Sequence, residues 1–518
     1  MKYLQVELPS LHLDWDRGNH GSNISSVIRT NYAKPSLFTI PSIIKQVPDF
    51  DLEAVDMKIR QQDSIIPYKE FKYGDGVMVA SRMGIPFEKI HEKICKADFI
   101  GVSINPTSWS DIALDFFRFA KKVNPLVKII AGGADVIFRN EYYLRSGFVD
   151  FVIRGEAEYA LIELLNAFKT KNDFSKVSGI SFLASEKIIK NRKCPNANIN
   201  DQPLEAFDLL KNDIPLWTEP IEYFPLPDKV SKPIGIIFLT RGCSEACDFC
   251  TTPQKMGRFR FLSIEKIQEK ISNYKKYGIH TLNIWDDSLS SVLKLHPDGY
   301  AAGRQYLKKV IELLWYNKIA FEFSQGFVIK HLWDYERNEP DYDLINTLFS
   351  NSIIDGQFVG CYAEYFPTEC LQEDERYDKL MSFEKEKAVL KEILASGTKT
   401  ISFSSIMGSL EDNQSSFSIA TQRLFELKNI IEDAGGKALP TPFIFSIFPG
   451  TKVWNKYKKY IQYDIQKYPE LYQLNTAVHR TEYFNAHQIT LEKKKMEEYL
   501  FTGKQYNSWN KTGRYQWS

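Results

Sequence analysis

The stretch "IGIIFLTRGCSEACDFCTTPQ", residues 234–254, decides how the second half of the chain should fold. It opens with an apolar run that is typical of a buried strand. Three cysteines then follow in the pattern CxxxCxxC, at Cys243, Cys247 and Cys250. The chain has 518 residues and only seven cysteines, an odd number, so this local concentration favours a metal site over a disulfide framework.

Strand-like and helix-like segments alternate on both sides of the cysteines. Before them, the apolar runs "ADFIGVSIN", "VKIIAGGAD" and "VDFVIRGEAE" predict a doubly wound, Rossmann-like parallel sheet. After the first strand, the alternation continues for about six strand–helix units, which predicts a complete or partial (β/α) barrel. The predicted fold class is therefore α/β, with a doubly wound sheet, then a partial barrel and a short C-terminal extension.

Composition divides the chain into successive domains. Residues 1–170 are predicted to form the doubly wound domain, within which residues 10–50, rich in Asn, Ser, Pro and Gly, read as a long loop. Residues 171–232 carry a hairpin pattern and many Pro and acidic residues, and we interpret them as a connecting segment. Residues 233–450 form the barrel. Residues 451–518 are aromatic and basic, and either cover the barrel mouth or pack outside it.

Polar and small residues follow the strands of the predicted N-terminal sheet. Ser103 and Asn105 end one strand, and Gly132 and Gly133 end the next. Ligands of open parallel sheets bind beyond the carboxyl ends of the strands. These four residues are therefore candidates for a ligand site.

The three clustered cysteines are compatible with more than one kind of metal site. A structural zinc site needs four ligands, usually in two pairs, and a catalytic zinc here would lack an HxE partner motif. A four-iron cluster normally takes four thiolates, so three would leave one iron free to bind a reacting ligand. Coincidence of ordinary buried cysteines is the remaining alternative. The other cysteines lie far away in sequence: Cys95, Cys194, Cys361 and Cys370.

Composition excludes several classes of protein. The chain is 43% hydrophobic and 25% charged, with a formal net charge of +1, which argues against a generally basic nucleic-acid surface. No apolar run approaches the roughly 18 residues that a membrane helix needs. The first residues lack the pattern of a signal peptide. We therefore expect a cytoplasmic protein with neither a nucleic-acid nor a membrane partner.

The cysteine motif resembles that of the radical SAM enzymes, and the aromatic Phe249 before Cys250 is usual in that family. The resemblance covers nearly the whole chain. It implies a [4Fe-4S] cluster on Cys243, Cys247 and Cys250. It further implies that S-adenosyl-L-methionine (SAM) binds the open iron and is cleaved by the reduced cluster to a 5′-deoxyadenosyl radical.

Further motifs resemble the SAM-binding segments of that family. "IMGSLE", with Ile406, Gly408 and Glu411, resembles an adenine-contacting IxGxxE segment whose usual leading Gly is Ser404 here. "WDD", with Asp286 and Asp287, stands where an acidic motif meets the methionyl amine, and "GCYAEYF" carries Glu364 on a later strand. "FPGT", residues 448–451, resembles a closing motif of the same subgroup. The alternatives are ordinary ones: loop caps for the aspartates, an ion pair for Glu364 and a tight turn at Gly408.

The N-terminal part resembles the cobalamin-binding domain of one large radical SAM subgroup. The resemblance implies that Ser103 contacts the cobalamin tail together with Asn105, and that Gly132 and Gly133 let the tail approach the backbone. The DxHxxG motif is absent, so cobalt would have no lower ligand from that motif. His20 is a weak candidate for one, and a surface histidine is the simpler interpretation.

The resemblance implies cobalamin-dependent methylation of an unactivated carbon in a natural product or peptide. It also implies an electron donor such as flavodoxin or ferredoxin. The first alternative keeps both cofactors but replaces methylation by cyclisation, oxidation, epimerisation or rearrangement. The second is a non-catalytic iron–sulfur protein for electron transfer or sensing, and the third is a zinc-binding structural protein.

Overall fold

The structure is a computed structural model. It describes residues 1–18, 24–27, 33–60, 64–218, 226–368 and 381–501. His20, Cys370 and the end of the predicted extension lie outside these ranges. The described residues form a mixed α/β fold with parallel sheets, as the sequence predicted. Within these ranges, no helix combines the length and the hydropathy needed to cross a membrane.

The described residues of the N-terminal part form eleven strands and six α-helices. The strands are β1 Lys2–Glu7, β2 Ser10–Asp16, β3 Ile24–Val27, β4 Asp51–Asp56, β5 Ile65–Tyr73, β6 Gly76–Met83, β7 Phe99–Ser103, β8 Lys128–Gly132, β9 Phe151–Ile153, β10 Ile180–Ala184 and β11 Lys187–Lys190. The helices are α1 Ser36–Ile44, α2 His91–Lys96, α3 Ser110–Val123, α4 Ala134–Phe138, α5 Asn140–Arg145 and α6 Ala157–Thr170.

The first large sheet has the strand order β11-β10-β9-β8-β7-β1-β4. Strands β4, β1, β7, β8 and β9 are parallel. The strand order reverses between β1 and β7, the kind of point at which such sheets bind ligands. Apolar residues of α1 and α6 pack on one face of the sheet, and those of α2 and α3 pack on the other.

The prediction of a loop over residues 10–50 is wrong. Strands β2 and β3 lie in this range and pair antiparallel with β6 in a second sheet of order β3-β2-β6-β5. Helix α1 lies there as well. In β2 the apolar residues Leu11, Leu13 and Trp15 are buried and alternate along the sequence with polar residues. This period-2 pattern is the strand signal, and the polar residues around it concealed it.

The predicted hairpin of the connecting segment is present as β10 and β11. It does not stand between the two large sheets, however, because β10 pairs antiparallel with β9 and extends the first sheet.

The rest of the chain contains thirteen strands and nine α-helices among the described residues. The strands are β12 Ile234–Ile237, β13 Thr240–Arg241, β14 Arg260–Phe261, β15 Thr281–Ile284, β16 Ala320–Phe323, β17 Trp333–Asp334, β18 Glu339–Pro340, β19 Asn351–Ile354, β20 Gln357–Pro367, β21 Thr400–Ser404, β22 Ile406–Met407, β23 Lys437–Pro440 and β24 Phe443–Ile444. The helices are α7 Thr252–Met256, α8 Ile264–Lys276, α9 Ser291–Leu295, α10 Tyr300–Tyr316, α11 Tyr342–Phe349, α12 Phe383–Ser396, α13 Gln414–Asp433, α14 Lys452–Tyr457 and α15 Ala486–Phe501.

The second large sheet pairs its parallel strands in chain order, β12-β15-β16-β20-β21-β23, and β19 joins β20 antiparallel. Helices α8, α10, α11, α12 and α13 cover one face and share a continuous apolar core with it. Since all six strands of the chain-order series run the same way, the loops after them meet at one edge. The cysteines lie at that edge, between β13 and α7.

The described end of the chain packs against both parts of the molecule. Glu470 is fully buried and accepts hydrogen bonds from Lys69 Nζ on β5, at 3.0 and 3.1 Å. Tyr73 Oη donates to the carbonyl of Ala477 at 2.9 Å. On the other side, His479 contacts the turn that follows β22.

Candidate functional site

The three cysteines line one cavity of about 190 Å³ at the carboxyl edge of the second large sheet. Phe327 follows β16 and Tyr365 belongs to β20, and both contribute to its wall. Phe249 lines it as well. The cavity thus joins the cysteine loop to the ends of several strands, where a parallel α/β structure positions reactive groups.

Backbone amides of the loop point at the sulfur atoms. The amide of Glu245 lies 3.4 Å from Cys243 Sγ, and that of Thr252 lies 3.4 Å from Cys250 Sγ. Burial raises the pKa of the Cys243 thiol, whereas the Glu245 amide and the Ser291 hydroxyl act to lower it. Donors of this kind stabilise thiolates, which are the form that binds iron.

No three His, Cys, Asp or Glu side chains converge on a single metal position in the described ranges. A four-iron cluster does not require such convergence, because each thiolate binds a different iron. Three cysteines around one cavity, with amides directed at two of the sulfurs, fit that cluster better than a single zinc ion.

Asp286 and Asp287 are neighbours in sequence, but their carboxylates have different hydrogen-bond partners. Asp287 lines the cysteine cavity, where its Oδ1 accepts from Thr252 Oγ1 at 2.9 Å and its Oδ2 from the Gly242 amide at 3.2 Å. Asp286 does not line that cavity, and its Oδ1 accepts from the Leu239 and Thr240 amides. Burial raises the pKa of Asp286 to about 7. Asp286 therefore caps the loop after β12, and only Asp287 faces the candidate site.

Glu364 does not line the cysteine cavity, although its neighbours Phe327 and Tyr365 do. Its cross-strand partners are Phe323 and Ile401, both members of the apolar core between sheet and helices. Burial raises the pKa of Glu364 well above its usual range, which the Phe327 amide only partly offsets. The side chain is thus a buried carboxyl on the helix-covered face of the sheet.

The "IMGSLE" segment forms a turn beside the cysteine loop. Gly408 has a φ of +85°, its amide donates to Asp412 Oδ2 at 2.8 Å, and its carbonyl accepts from His479 Nε2 at 2.7 Å. Ile406 and Phe249 belong to the same apolar cluster, whereas Glu411 is exposed. His479 was missed in the sequence because it is distant along the chain and belongs to no motif.

A second cavity, of about 230 Å³, lies at the carboxyl ends of the first sheet's strands and is lined by Ser103, Asn105, Gly132 and Gly133. All four predicted residues thus meet at one site. Gln5 lines it too, with a buried Oε1 atom that has no hydrogen-bond partner. Such an orphaned buried acceptor favours a ligand that can donate to it.

The two glycines in this cavity differ. A Cβ atom on Gly132 would have only Ile153 Cβ within 4 Å, at 3.9 Å, so this residue faces open space. Gly133 has a φ of +98°, and a Cβ atom there would lie 2.5 Å from the Ile104 carbonyl oxygen. Gly133 therefore serves the turn of the backbone, and Gly132 serves the cavity.

Glu156, after β9, connects the two cavities. Its carboxylate accepts from Arg260 Nη1 and Nη2 at 2.8 and 2.7 Å and from Arg241 Nη1 at 3.0 Å. Arg241 also pairs with Glu158 at 2.6 Å. Burial acts to raise the pKa of Glu156, but the two guanidinium groups outweigh it and the pKa is lowered. Arg241 on β13 and Lys255 and Met256 on α7, which flank the cysteine loop, line the first-sheet cavity, so the loop with its flanking residues lies between the two cavities.

Curated proteins resemble part of this chain. No family model matches the chain. A Pyrococcus horikoshii protein named as a methyltransferase is 28% identical over 197 residues, 37% of this chain and 40% of that protein. The anaerobic magnesium-protoporphyrin IX monomethyl ester cyclase of Synechocystis is 25% identical over 184 residues, 35% of each chain. The aligned regions thus cover well under half of these relatives' own lengths.

Solved structures match over much more of the chain. The cobalamin-dependent SAM radical enzyme OxsB, solved with aqua-cobalamin, has a TM-score of 0.67 at 15% identity over 95% of this chain and 66% of its own. The chain has the fold of the cobalamin-dependent radical SAM enzymes. The radical SAM methyltransferase TsrM of Kitasatospora setae, solved with cobalamin and a [4Fe-4S] cluster, shares this fold, with a TM-score of 0.58 at 12% identity over 88% of this chain and 78% of its own. The resemblance stated from the sequence is thereby confirmed at the level of the fold.

The Glu156 contacts generate a prediction about the cysteine loop. In a Glu156→Ala variant two partly buried guanidinium groups lose their shared partner, and we expect the free energy of opening residues 241–260 to fall by about 2 kcal/mol. Amide hydrogen exchange in this segment should then be about thirtyfold faster. The matched control is Glu141→Ala, which removes an exposed ion pair with Lys190 and should leave the segment unchanged. Unaltered exchange in the Glu156 variant would contradict this role.

Proposed function

We propose that the chain is a radical SAM enzyme that cleaves SAM reductively at a [4Fe-4S] cluster and methylates an unactivated carbon with the help of cobalamin. The observation that carries the proposal is the shared wall: the three cysteines line one cavity, and Arg241, Lys255 and Met256, which flank their loop, border the first-sheet cavity. In this interpretation residues 1–170 and the adjoining hairpin form a Rossmann-like cobalamin domain. Residues 233–450 form a partial (β/α) barrel, and residues 451–518 form an extension.

Cys243, Cys247 and Cys250 would hold the cluster, and Asp287 would receive the ammonium group of SAM. When bound, the cluster, SAM and cobalamin would supply reductive cleavage of the sulfonium bond and methyl transfer. The chain's own groups orient and enclose these partners. The loop amides hold the sulfur atoms, Phe327 and Tyr365 shield the cavity from water, and His479 fixes the Gly408 turn.

Gly132 and Gln5 would meet cobalamin in the first-sheet cavity. At about 230 Å³, the cavity is smaller than the roughly 300 Å³ that a drug-sized ligand usually fills. Only part of a cobalamin could therefore enter it. The bare backbone at Gly132 suits the close approach of the tail.

The substrate in this proposal is a natural product or peptide, the electron donor is a protein such as flavodoxin or ferredoxin, and the location is the cytoplasm. A second candidate function keeps the cofactors and performs a non-methylating reaction such as cyclisation. The similarity to the magnesium-protoporphyrin cyclase supports this second candidate. Product analysis with labelled SAM separates the two, because only methylation transfers the SAM methyl group to the product.

The cluster assignment predicts that Cys247→Ala will not retain a four-iron cluster after anaerobic reconstitution, because two thiolates cannot hold it. Iron content and visible absorbance measure this directly, and SAM cleavage to 5′-deoxyadenosine should be lost as well. Cys95→Ala is the matched control, since Cys95 is an exposed thiol remote from the loop. Native iron content in Cys247→Ala would overturn the assignment.

The different orientations of the two aspartates predict different effects on SAM. Asp287→Asn should weaken SAM binding to the reconstituted protein at least tenfold, because losing a charged partner in a buried site costs about 2–5 kcal/mol. Asp286→Asn keeps an acceptor for the Leu239 and Thr240 amides and should bind SAM normally. Equilibrium dialysis measures both, with cluster absorbance as the check on folding. Equal affinities in the two variants would exclude Asp287 as the ammonium partner.

The two glycines predict a similar separation for cobalamin. Gly132→Leu should fold normally and fail to retain cobalamin, because its side chain occupies the cavity. Gly133→Ala should instead melt at a lower temperature, because of its positive φ and the contact with Ile104. Incubation with hydroxocobalamin, desalting, and measurement of cobalt and of the visible spectrum test this, and native protein should show a base-off spectrum. Stoichiometric cobalt in Gly132→Leu would show that the ligand does not use this cavity.

A further inference from the structure

A strongly basic surface lies against the cysteine loop. Residues 452–459 contain four lysines and no acidic residue, Lys452, Lys456, Lys458 and Lys459, and all four side chains are exposed. We call these four residues the basic face. The chain as a whole carries a formal charge of only +1, so this concentration is local.

The basic face is attached directly to the loop that bears the cysteines. The Val453 amide on α14 donates to the carbonyl of Asp248 at 3.2 Å, and Asp248 lies between Cys247 and Cys250. Val453 also packs in one apolar cluster with Phe249. Tyr457 raises the pKa of the Lys456 ammonium group most, and the carboxylates of Glu411 and Asp248 act in the same direction. The lysines therefore stand beside the cysteines and not on a remote surface.

The cysteine loop is itself accessible to solvent. Ala246 is exposed and precedes Cys247, which is itself partly exposed. Aromatic rings underlie the cations: Lys456 Nζ lies 4.7 Å from the centroid of Tyr457, and Lys459 Nζ lies 5.2 Å from that of Tyr460. These rings limit the freedom of the side chains, so less entropy is lost when a partner binds.

We propose that the basic face is the docking surface for a small acidic protein that donates one electron to the cluster. The inference rests on the proposed function, which requires one electron for each SAM cleaved. In the transfer the donor is oxidised by one electron and the cluster is reduced by one. Opposite charge on donor and surface speeds encounter and fixes orientation, and the position beside Cys247 keeps the path short. A basic, aromatic surface could also bind nucleic acid, but binding of nucleic acid would not explain why this surface is attached to the cysteine loop.

The test compares two variants that change the net charge equally. Lys456→Glu/Lys459→Glu reverses charge on the basic face, and Lys308→Glu/Lys309→Glu reverses two exposed lysines on α10. Binding of oxidised flavodoxin is measured by calorimetry on both the apo and the reconstituted full-length protein. Reduction of the cluster by flavodoxin hydroquinone and by dithionite is followed by stopped-flow absorbance.

At low ionic strength the basic-face variant should bind flavodoxin at least tenfold more weakly and be reduced by it at least tenfold more slowly. Its reduction by dithionite and the behaviour of the α10 variant should match the native protein, and the difference should shrink with added salt. If the basic-face variant binds flavodoxin as tightly as the native protein does, the proposal is overturned. It is also overturned if an oligonucleotide binds this face as tightly as flavodoxin does. If dithionite reduces no cluster in native protein, the proposed function fails instead, and the binding measurement on apo protein still decides whether this face docks an acidic partner.

Discussion

The bridge between Glu156 and the two arginines is the contact on which the two-cavity arrangement depends. Glu156 follows β9 of the first sheet, whereas Arg241 and Arg260 flank the cysteine loop beside the second. Arg260 forms a two-pronged contact, a geometry that fixes direction as well as distance. Little of any of these side chains is exposed, so separating them would take a charged partner from Glu156 and Arg260 and leave Arg241 with Glu158 alone. The bridge therefore couples the position of the loop to the first sheet.

This coupling holds the loop and its flanking residues between the two cavities. On one face the cysteines line a cavity with strand ends of the second sheet, and on the other Arg241, Lys255 and Met256 border the first-sheet cavity. A reaction that uses two cofactors and a substrate needs their reactive atoms close together and shielded from water. Two separate domains joined by a linker would not hold that geometry, whereas a loop shared as a wall does.

Features set by local sequence could be predicted, and features set by long-range packing could not. The apolar runs of β7, β8, β12 and β15 follow buried-strand patterns, and the ends of two of them carry the first-sheet site. The sheet around β2 was missed because its alternating pattern is short and surrounded by loop-forming residues. The face on which Glu364 lies depends on an irregularity in pairing next to Glu322, which no local pattern reveals. His479 supports Gly408 from 71 residues away along the chain, a contact that only the tertiary structure could disclose.

In two pairs of neighbouring residues, the sequence locates the site correctly but does not show which member of the pair faces the ligand. Asp286 and Asp287 are adjacent and chemically identical, and so are Gly132 and Gly133. In each pair one residue faces the cavity, and the other satisfies the backbone: Asp286 accepts from two amides, and Gly133 takes a positive φ. The residue that faces the cavity depends on the neighbour that satisfies the backbone. Asp286 holds the chain just after β12, where it leads into the cysteine loop. The turn at Gly133 leaves the backbone of Gly132 bare toward the cavity. A site at strand ends thus needs one residue for the ligand and a neighbour for the turn that presents it, and sequence alone cannot assign which is which.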